Sequence, residues 1–161
     1  MRSQKISNRK GFTLVELLTV VIIIGIASGI FYSVFALNWK AMDGFMSRAN
    51  LWQEINVILD DMRFYGRQSA SMTITNSGTT KSVVLTGLDG LMTATYSMDQ
   101  NGEFRVIDKI GRNEVLSRNV DFAKSQFGSD VHALEVEVAL IDDNFGQKIH
   151  ARSSTEIFLR N

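Results

Sequence analysis

The chain of 161 residues contains no cysteine and no proline. Without thiols it has neither a disulfide framework nor a thiolate metal site. Average usage of about 5% would give roughly eight prolines in a chain of this length, so a long helix here has no proline to kink it. Histidine is scarce, with His132 and His150 the only two. Acid is missing from the first eleven residues, which carry Arg2, Lys5, Arg9 and Lys10. Taking those four from the 17 basic residues leaves 13 against 17 acidic ones, all of which lie downstream. Such a mildly acidic remainder gives no footprint for nucleic acid. What is present is 45% hydrophobic and 21% charged, one domain's worth of material with apolar surface for a modest core, and not a disordered tail.

Charge is absent again from Leu17 to Leu37, twenty-one residues that begin just after KGFTLVE. At about 1.5 Å per residue this run crosses a hydrocarbon core of roughly 30 Å, which predicts a transmembrane helix. A cleaved secretory signal has an apolar region of only about 7 to 15 residues followed by a small-residue cleavage site. This run is longer and continues into Phe31, Tyr32 and Phe35. The basic cluster before it stays cytoplasmic by the positive-inside rule, which sends everything after Leu37 to the far side. Glu16 sits at the head of the run, although an ionised side chain in hydrocarbon costs at least about 2.5 to 3.5 kcal/mol.

Beyond the membrane, Trp39, Met42, Met46, Ala49, Trp52, Ile55, Leu59 and Met62 recur at steps of three and four, the buried stripe of an amphipathic helix. The polar face carries Lys40, Arg48, Gln53, Glu54, Asp60 and Arg67. No stop appears before about Gly66, although Gly44 loosens the helix midway at a cost of about 1 kcal/mol. Residues 69 to 82, rich in Ser, Thr, Asn and Gly, read as a loop with one short strand. Short β-like runs follow, SVVLTGL, LMTATYSM, EFRVIDKI and EVLSR, and DQNG at 99 to 102 makes 91 to 110 a hairpin. Residues 131 to 141 alternate, with Leu134, Val136, Val138 and Leu140 on one face. This run pairs with KIHARSSTEIFL through the turn DDNFG. The reading is α+β: a long N-terminal helix, its first half transmembrane and its second amphipathic, packed on a small C-terminal antiparallel sheet. Its segments are a basic leader at 1–11, a membrane or filament-core half-helix at 12–37 and an exported globular part at 38–161, helical to about 67.

Candidate chemistry is sparse. His132 and His150 fall in predicted strands, with no pattern that makes a nucleophile and base pair or an HExxH site. Asp142, Asp143 and Asn144 lack the spacing of a calcium loop and read as turn residues before Gly146. Asp60 and Asp61 point about 100° apart on a helix, so they read as a solvated face with local pairing to Arg63 rather than a carboxylate pair. No catalytic residue, metal site or cofactor is assigned. Gly25 and Gly29 form a GxxxG within the apolar run, a spacing that lets helix backbones approach closely.

A short basic leader ending in Gly11, then Phe12-Thr13-Leu14-Val15-Glu16-Leu17-Leu18 and an apolar run, resembles the N-terminal processing segment of type IV pilins and type II secretion pseudopilins. The resemblance implies that a membrane-embedded prepilin peptidase cuts between Gly11 and Phe12 and N-methylates the new Phe12 amine. It also implies that Glu16 meets the N-terminal amine of a neighbouring subunit. Such a buried pair is poor evidence of net stability, but it penalises wrong axial offsets and so sets register. A glutamate snorkelling to the headgroups is the alternative. Residues 48 to 68 and LSRNVDFAKSQF are similar to minor subunits of the J-type pseudopilin and W-type minor pilin kind. Two features depart from the family: many members carry a proline where this chain has Ile30-Phe31-Tyr32-Ser33-Val34, and many major pilins close a C-terminal disulfide loop.

The implied function is that of a non-enzymatic minor pilin or pseudopilin, stored in the inner membrane with its N-terminus cytoplasmic and then drawn into a cell-surface or periplasmic filament. Its implied partners are other pilin or pseudopilin subunits, the prepilin peptidase, an inner-membrane assembly platform with its ATPase, and the lipid bilayer. Two readings from other classes stay open. One is a single-pass anchored ligand-binding module that does not polymerise; the other, an exported tethered enzyme, has no catalytic constellation to support it.

Overall fold

The computed structural model describes residues 12–130, 133–144 and 147–160. Among the described residues one helix, α1 (Leu14–Gly66), precedes eight strands. The helix has no proline to stop it, and it ends where Gly66 closes against strand β8 (Gln147–Phe158). A Cβ on Gly66 would overlap Cγ2 of Ile157, so glycine lets helix and strand touch. At this end the Tyr65 carbonyl accepts both the Gln68 amide at 3.1 Å and Ser69 Oγ at 2.8 Å, so a carbonyl of the last turn, where regular helix bonds run out, is doubly satisfied.

By internal contacts the chain forms two compact units, one ending at Asp43 and one running from Gly44 to the C-terminus. In the first, the described residues are helical from Leu14, and nearly all are exposed. In the second, β1 (Ser71–Asn76), β2 (Thr80–Thr86), β3 (Met92–Asp99), β4 (Phe104–Asp108) and β5 (Asn113–Ser117) form an antiparallel meander. A second sheet contains β6 (Gln126–Asp130), β7 (Ala133–Asn144) and β8. Both sheets contribute one face to a single core, in which Leu51, Ile55, Ile58 and Met62 of the helix meet Val83, Tyr96, Phe104, Val136 and Leu140. Burial of Leu134, Val136, Val138 and Leu140 follows from their alternation along β7.

The α+β reading holds, and four of its details change. The predicted stripe is buried only at Ile55, Leu59 and Met62, while Trp39, Met42, Met46, Ala49 and Trp52 are exposed. Periodicity shows which residues share a helix face, but it carries no information on how far the sheets reach along that face. Residues 69 to 82 are not a loop with one strand but most of the β1–β2 hairpin, closed at Ser77, whose amide and hydroxyl both donate to the Thr80 carbonyl. Its threonines are β-branched residues at home in strands. There are two sheets rather than one. Asp142, Asp143 and Asn144 lie in β7, paired with Ile149, Lys148 and Gln147, rather than in the turn.

The DQNG turn is as expected. Gly102 has φ +85°, a conformation that costs a residue with a Cβ, and the Arg118 and Val120 carbonyls stand 3.2 Å from where its Cβ would be. Val120 returns the contact by donating its amide to the Gly102 carbonyl at 3.0 Å. The chain between the sheets is thereby held against the β3–β4 turn. Lys81 of β2 reinforces it, donating to the Phe122 and Ser125 carbonyls at 2.7 and 2.6 Å with its ammonium 4.4 Å from the Phe122 ring centroid.

Candidate functional site

The start of the helix is built from Thr13 and Glu16. Thr13 precedes the first helical residue, and its carbonyl accepts the Leu17 amide at 3.2 Å, the first bond of the helix. Its hydroxyl oxygen accepts the Glu16 amide at 3.3 Å. In return Glu16 Oε2 accepts from the Thr13 amide at 2.9 Å and the Thr13 hydroxyl at 3.0 Å. This is a reciprocal capping box, in which the threonine and the glutamate three residues later satisfy each other's donors. The Thr13 amide and hydroxyl are thereby both paired at the head of an apolar run, as donors entering a hydrocarbon environment must be. Sequence reading missed this role, although the spacing Thr-x-x-Glu before an apolar run, legible in TLVE, is its signature.

Gly11 lies outside the described residues. Phe12, just upstream of the cap, is non-helical and 81% exposed. Gly25 and Gly29 are one turn apart on the helix, and a Cβ on either would meet nothing within 4 Å. At about 100° per residue Glu16 and Gly25 lie roughly 180° apart around the axis. The structure therefore does not bring the predicted assembly residues together on one face; they address two sides of the helix. Two hydroxyls in this stretch bond within the helix, Thr19 to the Val15 carbonyl at 2.8 Å and Ser33 to that of Gly29 at 3.0 Å. The helix is long and apolar enough to cross a membrane, and its apolar window is unburied.

A second polar constellation lies at the other end of the helix. Asp60 pairs with Arg63 at 2.8 Å as expected, but Asp61 is not on a solvated face. Its Oδ1 accepts from Arg112 at 2.7 Å and its Oδ2 from the Tyr96 hydroxyl at 2.8 Å. Beside it the Tyr65 hydroxyl donates at 2.7 Å to Asp108, which also accepts the Ile110 and Arg112 amides. The Tyr65 bond, aided by those amides, holds the Asp108 carboxyl below its ordinary pKa. The same bond raises Tyr65, and burial followed by the Asp61 bond raises Tyr96. Bonds to Asp61 and Glu114 raise Arg112. The network fixes the last turns of the helix to the first sheet. Its partners lie 35 to 51 residues apart in sequence, so no local pattern announces it.

His150 is exposed in β8, opposite Ile141, and His132 lies outside the described residues. Among known proteins, residues 6–32 match a family model described as the prokaryotic N-terminal methylation motif. No curated protein and no solved structure matches the chain. That motif, at the head of a membrane-capable helix followed by antiparallel sheets, supports a type IV pilin-like protein processed by a prepilin peptidase.

Proposed function

We propose that the chain is a minor pilin or pseudopilin, a structural subunit without enzymatic activity of its own. In this reading it is cut between Gly11 and Phe12, methylated at Phe12 and drawn from the inner membrane into a type IV pilus or a type II secretion-like filament, or serves to prime one. The observation that carries it is the methylation motif over residues 6–32, leading into an apolar helix whose surface its own fold leaves uncovered. That surface first suits lipid and then other subunits. Gly25 and Glu16, on opposite sides of the helix, suit a bundle with neighbours all round better than a simple pair.

Mass spectrometry of the mature N-terminus tests the proposal. The expected product begins at Phe12 and carries one added methyl group on its amine. A terminus at Met1 or Arg2 in cells that hold the peptidase would overturn it and leave a permanently anchored module.

A further inference from the structure

We infer that Thr13 is a positioning residue for leader removal: by capping the helix at Leu14 it keeps Phe12, which contributes the amide of the Gly11–Phe12 bond, outside the helix and open to the peptidase. The inference rests on the processing reading above. It begins from where the helix starts. Leu14 is the first helical residue, and Phe12 and Thr13 precede it with Phe12 exposed. A peptide bond inside a helix has its carbonyl and amide engaged and its flanking side chains splayed around a cylinder, whereas a protease must lay the chain out to reach the carbonyl carbon. The location of the helix start thus decides whether the bond can be attacked.

Among the described residues at the helix start, Thr13 is the one whose side chain caps the helix. Proline, the usual stop, is absent from the chain. Upstream, Ser7 and Asn8 are residue types that cap helices well. A helix begun there would enclose Gly11 and Phe12, with a glycine penalty of about 1 kcal/mol as the only sequence-level obstacle. Thr13 supplies the competing start: its hydroxyl accepts the Glu16 amide, and its own amide and hydroxyl donate to Glu16 Oε2. Once its amide is turned to that carboxylate, it is unavailable to a carbonyl further upstream. The two residues divide the work, because the cap on the Glu16 amide comes from the Thr13 side chain and survives loss of the Glu16 carboxylate.

The test is the rate of leader removal from the full-length precursor in membranes containing the peptidase, for wild type, Thr13→Ala, Thr13→Ser and Thr13→Asn. Alanine is the best helix former and a poor cap, while serine and asparagine cap well. Thr13→Ala is expected to be cut between about twofold and thirtyfold more slowly, the span that loss of an N-cap covers. Thr13→Ser and Thr13→Asn are expected to restore the rate. Amide hydrogen exchange at Phe12 in detergent-solubilised precursor supplies the second readout, with protection appearing in Thr13→Ala alone. Cleavage of Thr13→Ala at the wild-type rate, or equal slowing in all three variants, overturns the inference while the processing reading stands. A wild-type precursor that is not cut defeats both.

Discussion

In the helix before Asp43, Ile22, Ile23 and Ile26 are each more than half exposed, whereas beyond Leu51 the side chains of Ile55, Ile58 and Met62 are wholly buried. Of the two stretches the first is the more apolar, with no charge from Leu17 to Leu37, yet it is the one for which the chain supplies no cover. An exposed isoleucine forgoes roughly 1.5 to 3 kcal/mol that burial would provide. Their carboxylates differ in the same way. Asp61 finds Arg112 and Tyr96, distant in sequence, within the fold, whereas among the described residues the donors to the Glu16 carboxylate both belong to Thr13, three residues away. The first stretch is therefore built for an environment and the second for self-sufficiency, so substitutions in the two should fail different assays.

The sharpest break of that symmetry is Glu16→Ala. Membrane insertion and leader removal should continue, since the Thr13 hydroxyl still caps the helix, and the unfolding midpoint of the sheet-bearing part should not move. On the proposed pairing of Glu16 with a neighbour's amine, incorporation into filaments, read by immunoblotting of sheared material, should fall more than about tenfold, because leaving one member of a buried ion pair alone costs roughly 3 to 5 kcal/mol. Wild-type incorporation would count against the pairing with a neighbour's amine. The mirror experiment is Ile58→Ala beside Ile23→Ala. Ile58 has no exposure and sits between helix and sheets, so its truncation should cost about 2 to 5 kcal/mol in urea unfolding of the full chain in micelles. Ile23→Ala should change that measurement by less than about 0.5 kcal/mol.

These contrasts also mark what the sequence could and could not reveal. The apolar run, the leader and the alternation of Leu134 to Leu140 are local patterns, and each was legible. TLVE was equally local, yet a glutamate at the edge of a membrane span drew the reading toward charge and away from capping. Trp39 and Met42 were misplaced because one helix carries two kinds of apolar residue, those buried against its own sheets and those left exposed, and composition does not separate them. Asp61 was misplaced for the opposite reason. Its partners arrive from β3 and from the turn after β4, and only the folded topology brings them near.

Glycine offers a subtler version of the comparison. A methyl group on Gly66 would run into the β-branched Ile157, itself buried in the core and stiff at χ1. Overpacking of this kind costs about 1 to 3 kcal/mol, so Gly66→Ala should destabilise the globular part despite the better helix propensity of alanine. Gly44→Ala meets nothing within 4 Å and should instead be neutral or stabilising by up to about 1 kcal/mol. Thermal unfolding of both variants followed by circular dichroism reads the difference, and equal behaviour would mean that helix and β8 are not in contact at Gly66.

The smallest expected effect concerns pH, and it too belongs to the self-sufficient region. Tyr65 and Tyr96 have raised pKa values, so the folded chain keeps their protons at pH values where the unfolded chain has begun to lose them. Their contribution is whole below the ordinary tyrosine value of 10.0 and is lost as pH rises above it. Asp108 is depressed; its contribution is present above the ordinary aspartate value of 3.8 and is lost as pH falls through the lowered one. Stability should thus be flat with respect to these three groups across neutral pH and decline at both extremes. Tyr96→Phe separates the two ends. It removes a hydrogen bond to a carboxylate that Arg112 still holds, so it should cost about 1.5 kcal/mol at pH 7, near the lower end for bonds to charged groups. It should also shallow the alkaline decline and leave the acid one unchanged. Urea midpoints at pH 3, 7 and 11 check this, and an unaltered alkaline slope would show that the Tyr96 hydroxyl is not held by Asp61.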